Sequence, residues 1–207
     1  MSGSGEKTLV AGVVVAALYA GMQLVSNVAS LKVGLVFGLA VDMGAFCYPL
    51  TFTLRDMAHK ALGLRAVTAL VWASALMCLV ASGYFALASL SAPAVDDGGR
   101  NAFGVVFSPM WRLVFASIAA MVASELADTR VFHLCRAMEG RREWLRVVIS
   151  NAVSIPVDNA IFAVGAFGWA LPWNAVAQVF LFNLAVKVVV GLAAAPLIYL
   201  LPRPEGR

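Results

Sequence analysis

The chain has 207 residues, of which 62% are hydrophobic and 13% charged, with a formal net charge of +4 and a mean hydropathy of +0.88. A soluble domain of this size needs far more polar surface to cover its core, so soluble enzymes and soluble binding modules are excluded. The positive balance does not point to nucleic acid, because the charges gather at the ends of long apolar blocks. Such blocks are what a bilayer demands, at about 20 apolar residues per crossing.

Taken in chain order, six segments are predicted to cross, over about 8–30, 36–56, 66–90, 109–135, 146–169 and 174–201. They form a single all-α, multi-pass membrane domain over 1–207. The first segment exceeds the roughly 7–15-residue apolar core of a secretory signal and shows no clear cleavage site, so it is expected to stay in the mature protein. Its Ala16-x-x-x-Ala20 spacing would let a partner helix approach closely. The second segment contains Asp42 and Gly44, and its crossing part is expected to be short or broken. The stretch 91–108, with Asp96, Asp97, Gly98 and Gly99, reads as a flexible external turn. Cys47, Cys78 and Cys135 stand singly in or beside apolar segments and read as small buried hydrophobes.

Loop charge sets the expected orientation. Lys7, then Arg55, Lys60 and Arg65, then Arg130, Arg136, Arg141, Arg142 and Arg146, then Arg203 and Arg207 all fall on one side of a six-crossing chain. Lys32, Arg100 and Arg112 fall on the other. The positive-inside rule makes both termini cytoplasmic, in a bacterial inner membrane. The arginine cluster after the fourth segment is explained by that rule without a specific lipid.

Four charges lie well inside predicted spans: Glu125, Asp128, Asp158 and Lys187. Each costs about 2.5–3.5 kcal/mol near the bilayer centre, so all four should face the bundle interior. Ser124, Asp128 and Phe132 recur at intervals of four, as do Ser154, Asp158 and Phe162, and Phe52 precedes Asp56 by four. Residues four apart stack on one helix face, giving a hydroxyl, a carboxylate and a ring in a column. The columns run in opposite directions, a weak hint of an inverted repeat. Pro156, two residues before Asp158, removes a backbone hydrogen bond and is expected to mark a binding point; Pro49 is expected to act similarly in the second segment. Asp158 and Lys187 also suit a structural ion pair between the fifth and sixth spans. Asn27 and Asn183 suit interhelical hydrogen bonds as well as substrate contact. His59 and His133 read as interface residues rather than metal ligands.

The strings SNVASLK (26–32), GAFCYPLTFTLRD (44–56), WRLVFASIAAMVASELADTRVF (111–132), WLRVVISNAVSIPVDNAIFAVGAFG (144–168) and KVVVGLAAAP (187–196) occur in an order that resembles the queuosine-precursor transporter family, also called the vitamin uptake transporter family. The resemblance covers nearly the whole chain. It implies uptake of a 7-deazaguanine such as preQ0 (7-cyano-7-deazaguanine), with no cofactor. A guanine-like edge places N–H and amino donors side by side, which a carboxylate accepts in bidentate fashion. Asp158 is the first candidate for that carboxylate, with Glu125 and Asp128 behind it. Lys187, Asn27 and Asn183 are candidate donors to the ring carbonyl. Ser154 flanks Asp158, and Phe46, Tyr48, Phe52 and Phe162 are candidate stacking partners. Two positions depart from the family pattern. Lys60 stands where a Glu is usual in D-x-x-x-E-x-x-G, and Pro156 where a polar residue such as Gln is expected.

Three other functions compete. The substrate-binding subunit of an energy-coupling-factor importer is also small and about six-span, and would need ATPase and membrane partners. A membrane enzyme would need a nucleophile and base, a metal cluster or a phosphate loop, and the sequence carries no such motif. A purely structural protein would gain by losing the buried charges. The expected partners are therefore a small heterocyclic substrate and the bilayer, with a homo-oligomer or an energy-coupling partner open.

Overall fold

The computed structural model describes residues 3–91, 101–134 and 143–194. Five long helices dominate: α1 (Gly3–Ala29), α3 (Leu64–Ala88), α5 (Met110–Leu134), α6 (Glu143–Phe167) and α7 (Trp173–Ala194). Four stretches are long and apolar enough to cross a membrane, namely Leu9–Ala29, Arg65–Ala88, Ala102–Ser124 and Trp173–Val190. α6 adds the shorter apolar run Ala152–Phe167. In hydrocarbon every backbone N–H and C=O must be satisfied within the segment, which a helix alone achieves for a single strand of chain.

The polarity of the bundle is inverted relative to a soluble protein. Leu9, Val13 and Val25 on α1, and Trp72, Leu76, Val80, Tyr84 and Leu87 on α3, are exposed. Ser26, Asn27, Asp42, Ser117, Asp158, Asn159, Asn183 and Lys187 are buried. Apolar side chains outside and polar ones inside are what lipid as solvent selects.

The second expected span, 36–56, is not one helix. Val33–Val36 (β1) and Leu39–Asp42 (β2) form an antiparallel hairpin with Val33 opposite Asp42 and Val36 opposite Leu39. Its two-residue turn has positive φ at Phe37 (52°) and Gly38 (80°), the type I′ combination that matches strand twist. A 3-10 turn over Met43–Phe46 follows, and then α2 (Tyr48–Leu62), 15 residues long, or about 22 Å. The stretch VGLVFGLAVDMG carries three glycines and several β-branched residues, which weaken a helix here. The outer edge of β2 is partly satisfied by α7, where the Gln178 Oε1 accepts the Ala40 N–H at 2.8 Å. Pro49 does not kink this segment. It lies in the first turn of α2, where its missing N–H is no loss. Pro156 is likewise passed without interruption by α6.

The 91–108 stretch is also not all turn. Ala102–Phe107 form a short helix, α4, capped by Asn101, whose side chain accepts the Gly104 N–H at 3.0 Å. Residues 92–100, including Asp96 and Asp97, lie outside the described residues.

The helices pack as two groups, joined by a third core of Cys78 of α3 with Met110 and Val114 of α5. Val15 and Tyr19 of α1, Met57 and Ala58 of α2, and Val67 and Val71 of α3 form one core. Leu113 and Ala116 of α5, Ala163, Ala166 and Phe167 of α6, and Val176 and Val179 of α7 form the other, closed by Ala40 of β2. Small residues set the closest approaches. A Cβ on Gly165 of α6 would lie 3.0 Å from Ala116 Cβ of α5, and a Cβ on Gly12 of α1 would lie 2.5 Å from Leu62 at the end of α2. Gly12 is thus a close-approach point of α1 within the bundle, and Ala16 and Ala20 are half-buried. These contacts give the bundle two distinct ends. The starts of α1, α3 and α6 and the ends of α2, α5 and α7 share one. The end of α1, the hairpin, the end of α3, α4, the start of α5, the end of α6 and the start of α7 share the other.

Candidate functional site

A cavity of about 360 Å³ of empty space, its mouth included, lies between the two helix groups. It is lined by Ser26, Asn27 and Ser30 of α1, Asp42 and Ala45 of the hairpin and 3-10 turn, Tyr48 of α2, Ser117 and Ala120 of α5, Asp158 and Phe162 of α6, and Asn183 and Lys187 of α7. Asn183 falls ten residues after Trp173, the start of α7, which at 1.5 Å per residue is about 15 Å along the helix. That is half of a bilayer's hydrocarbon thickness of about 30 Å. The break in helix between α1 and α2 lies against this cavity, where the Gly44 N–H and C=O meet the Asp42 and Ser26 side chains.

Lys187 and Asp158 are 7% and 5% exposed and are joined by a buried ion pair through Nζ and Oδ2. Lys187 Nζ also sits 4.8 Å from the centroid of the Tyr48 ring and 5.8 Å from that of Phe52. The two rings meet edge to face at 5.4 Å. A cation in a water-poor site gains from both a carboxylate and ring faces, so this cluster ties α2, α6 and α7 together. Tyr48 and Ser117 of α5 line the same cavity. Phe162 stands one turn beyond Asp158 on the same face of α6.

The opposite wall is built by the break in the second segment. Asp42 caps the 3-10 turn, its Oδ1 accepting the Gly44 N–H at 2.9 Å. Ser30 lines the cavity with it, and Asn183 Nδ2 donates to its Oδ2 at 3.4 Å. Gly44 is required by space: a Cβ there would lie 2.0 Å from Ser30 Oγ and 2.5 Å from the Ser26 carbonyl oxygen. Ser26 Oγ donates to the Gly44 carbonyl at 3.1 Å. Asn27 Nδ2 donates to the Gln23 carbonyl at 3.1 Å and to Cys78 Sγ at 3.4 Å.

Of the residues expected at the site, Asp158, Lys187, Asn27, Tyr48 and Asn183 line the cavity, and Phe52 backs it through Lys187. Ser154 is buried one turn before Asp158 but does not line the cavity, and Phe46 turns outward onto Phe182, with ring centroids 5.8 Å apart. The side chains of Glu125, Asp128, Asp56, His59, Lys60, Phe132 and His133 lie outside the described set, as does Cys135. Cys78 is buried, whereas Cys47 is only half-buried at the start of α2. Ser30, Asp42 and Ser117 also line the cavity and are not among the residues that the sequence singles out for it. The signal that could have found them was the failure of helix periodicity between Val33 and Cys47, with a carboxylate at its centre.

Long apolar helices that turn their polar residues inward onto a half-depth cavity define a membrane carrier for a small molecule. Residues 42–201 match the family described as "Putative vitamin uptake transporter". The chain belongs to this vitamin uptake transporter family. It is 26% identical over 199 residues to the "Probable queuosine precursor transporter" of Bacillus subtilis (strain 168), covering 95% of this chain and 84% of that one. No solved structure matches.

Proposed function

We propose that this chain is a carrier, not an enzyme, that imports a 7-deazaguanine such as preQ0 across the bacterial cytoplasmic membrane, crossing six times with both termini inside. The observation that supports this cargo is the Asp158–Lys187 pair opening onto a cavity walled by Tyr48 and Phe162. A guanine-like edge reads carbonyl oxygen, ring N–H, amino group. A lysine beside a carboxylate offers the complementary order, an N–H for the carbonyl and two oxygens for the adjacent donors. The flat faces of the base then meet aromatic side chains. A cargo that inserts here shares the ion pair's hydrogen-bonding capacity instead of meeting bare charge, which keeps binding strong enough to select and weak enough to release. Six crossings with the basic flanks inside are supported by the loop charges together with the shared bundle end of α2, α5 and α7.

The test is the queuosine content of tRNA in a bacterium lacking both precursor synthesis and its own importer, expressing this chain and fed low preQ0. Restored queuosine supports the cargo and shows that no dedicated ATPase partner is needed. Absent queuosine with the protein in the membrane rejects preQ0 uptake by the chain alone.

A further inference from the structure

The Asp158–Lys187 pair leaves a second carboxylate on the same cavity. Asp42 is 2% exposed and Lys187 is already paired, so the described lining holds two carboxylates and one ammonium. With both carboxylates ionised, the cavity carries a net negative charge at mid-membrane depth, where an uncompensated charge is costly. The groups around Asp42 do not cancel it. α1 presents Ser26, Asn27 and Ser30, and α5 presents Ser117 and Ala120. α2 presents the Tyr48 phenol, α6 the Asp158 carboxylate and α7 the engaged Lys187. Lys32, beside the strand residue paired with Asp42, is exposed.

A second, independent observation lies on α7. Asn183 is 4% exposed and lines the cavity, yet its Oδ1 is buried without a hydrogen-bond partner. Its Nδ2 makes only the long 3.4 Å contact to Asp42 Oδ2. An amide has a donor end and an acceptor end and exchanges them by a half-turn. The donor end suits an ionised Asp42; the orphaned acceptor end suits a carboxylic acid whose O–H needs a partner.

We propose that Asp42 is a proton site coupled to transport, with Asn183 as the positioning residue that serves both of its protonation states. Hydronium gives a proton to Asp42 Oδ2 and leaves as water. The new O–H donates to Asn183 Oδ1 after the amide turns, and the cavity becomes neutral. The neutral cavity reorients across the membrane at lower cost than the charged one, and the proton leaves on the opposite side. No bond of the cargo changes. The inference rests on the transporter reading, and only its uptake arm depends on the cargo proposed above.

Two measurements test it on the full chain. In proteoliposomes clamped at zero membrane potential, radiolabelled preQ0 accumulates inside about tenfold for each pH unit by which the exterior is more acid, if one proton accompanies one cargo, and a protonophore abolishes the accumulation. D42N loses the gradient response. Uptake by the wild type that ignores the gradient overturns the coupling and leaves the cargo reading intact. If the wild type moves no preQ0 under any gradient, the cargo reading fails, and infrared difference spectroscopy of the cargo-free protein decides. A carboxylic C=O band that disappears as the pH is raised and is missing from D42N upholds the proton site. Absence of such a band in the wild type overturns it. Should D42N fail to insert, D42E replaces it. Keeping the carboxyl but moving it by one methylene shifts the band in frequency or midpoint, and an unmoved band overturns the assignment to Asp42.

Discussion

Removing the charge from Asp158 strands Lys187, and removing Lys187 strands Asp158, in surroundings where each is at least nine-tenths buried. Breaking one side of a buried pair costs about 3–5 kcal/mol, whereas replacing both partners by neutral groups is often close to neutral. D158N and K187M should therefore each lower thermal stability in detergent and abolish uptake. The double variant D158N/K187M should regain most of the stability and none of the uptake, as read by fluorescence-detected gel filtration alongside transport. Recovery of both by the double variant would make the pair purely structural. Gly44 gives a second test at this scale. G44A should reduce folded yield at a cost of roughly 1–3 kcal/mol, because the new methyl meets Ser30 and the Ser26 carbonyl. Combining it with S30A should rescue little, since the Ser26 carbonyl is backbone and cannot move aside. Asp158, Lys187 and Asn183 were legible in the sequence because a charge or amide inside a long apolar run has few innocent explanations. Asp42 was not. It stood in a segment with no clean period, where a carboxylate reads as an intruder into a helix rather than the cap of a turn.

The elements were legible in proportion to how little they depend on tertiary context. α1, α3, α5 and α7 follow from apolar length alone, since lipid leaves a chain no alternative to the helix. The hairpin does not. Its β2 edge is paired by Gln178, a residue 138 positions away from Ala40, and no local signal announces that partner. Its turn shows the same tension between local and global preference. Phe37 is 98% exposed and left-handed, a conformation that bulky residues adopt at a cost on the order of 1 kcal/mol. Asn tolerates it, and Asn-Gly is the favoured pair for this turn. F37N should therefore leave transport unchanged and raise the melting temperature. A lower melting temperature would mean that the exposed ring itself supports the fold, through lipid or a second copy of the chain. The close packing of α5 on α6 predicts the opposite behaviour at Gly165, where Val would press a branched side chain onto Ala116 and force the helices apart. G165V should destabilise and reduce uptake together.

At the scale of the whole molecule, the distribution of charge and the packing make one joint prediction. The Gly12–Leu62 contact puts the start of α1 and the end of α2 at one end of the bundle, and the Gly165–Ala116 contact puts the end of α5 and the start of α6 away from the opposite end. In the sequence, Arg55, Lys60 and Arg65 flank the end of α2, and Arg130, Arg136, Arg141, Arg142 and Arg146 flank the connection from α5 to α6, so the proposed orientation puts both basic clusters on one side. Translocating that face would carry eight cationic side chains across the membrane, while the opposite face carries few. An alkaline phosphatase inserted between residues 92 and 100 should therefore be active outside the cell, and a green fluorescent protein fused after Arg207 should fluoresce inside it. For these two reporters to lie on opposite sides, three crossings or another odd number must separate them. α5 and α7 supply two, so the pair of reporters also asks whether α6, whose apolar run is the shortest, spans the bilayer. An inactive phosphatase with a fluorescent C-terminus would leave an even number of crossings between them and remove α6, or the proposed orientation of its neighbours, from the set of spans.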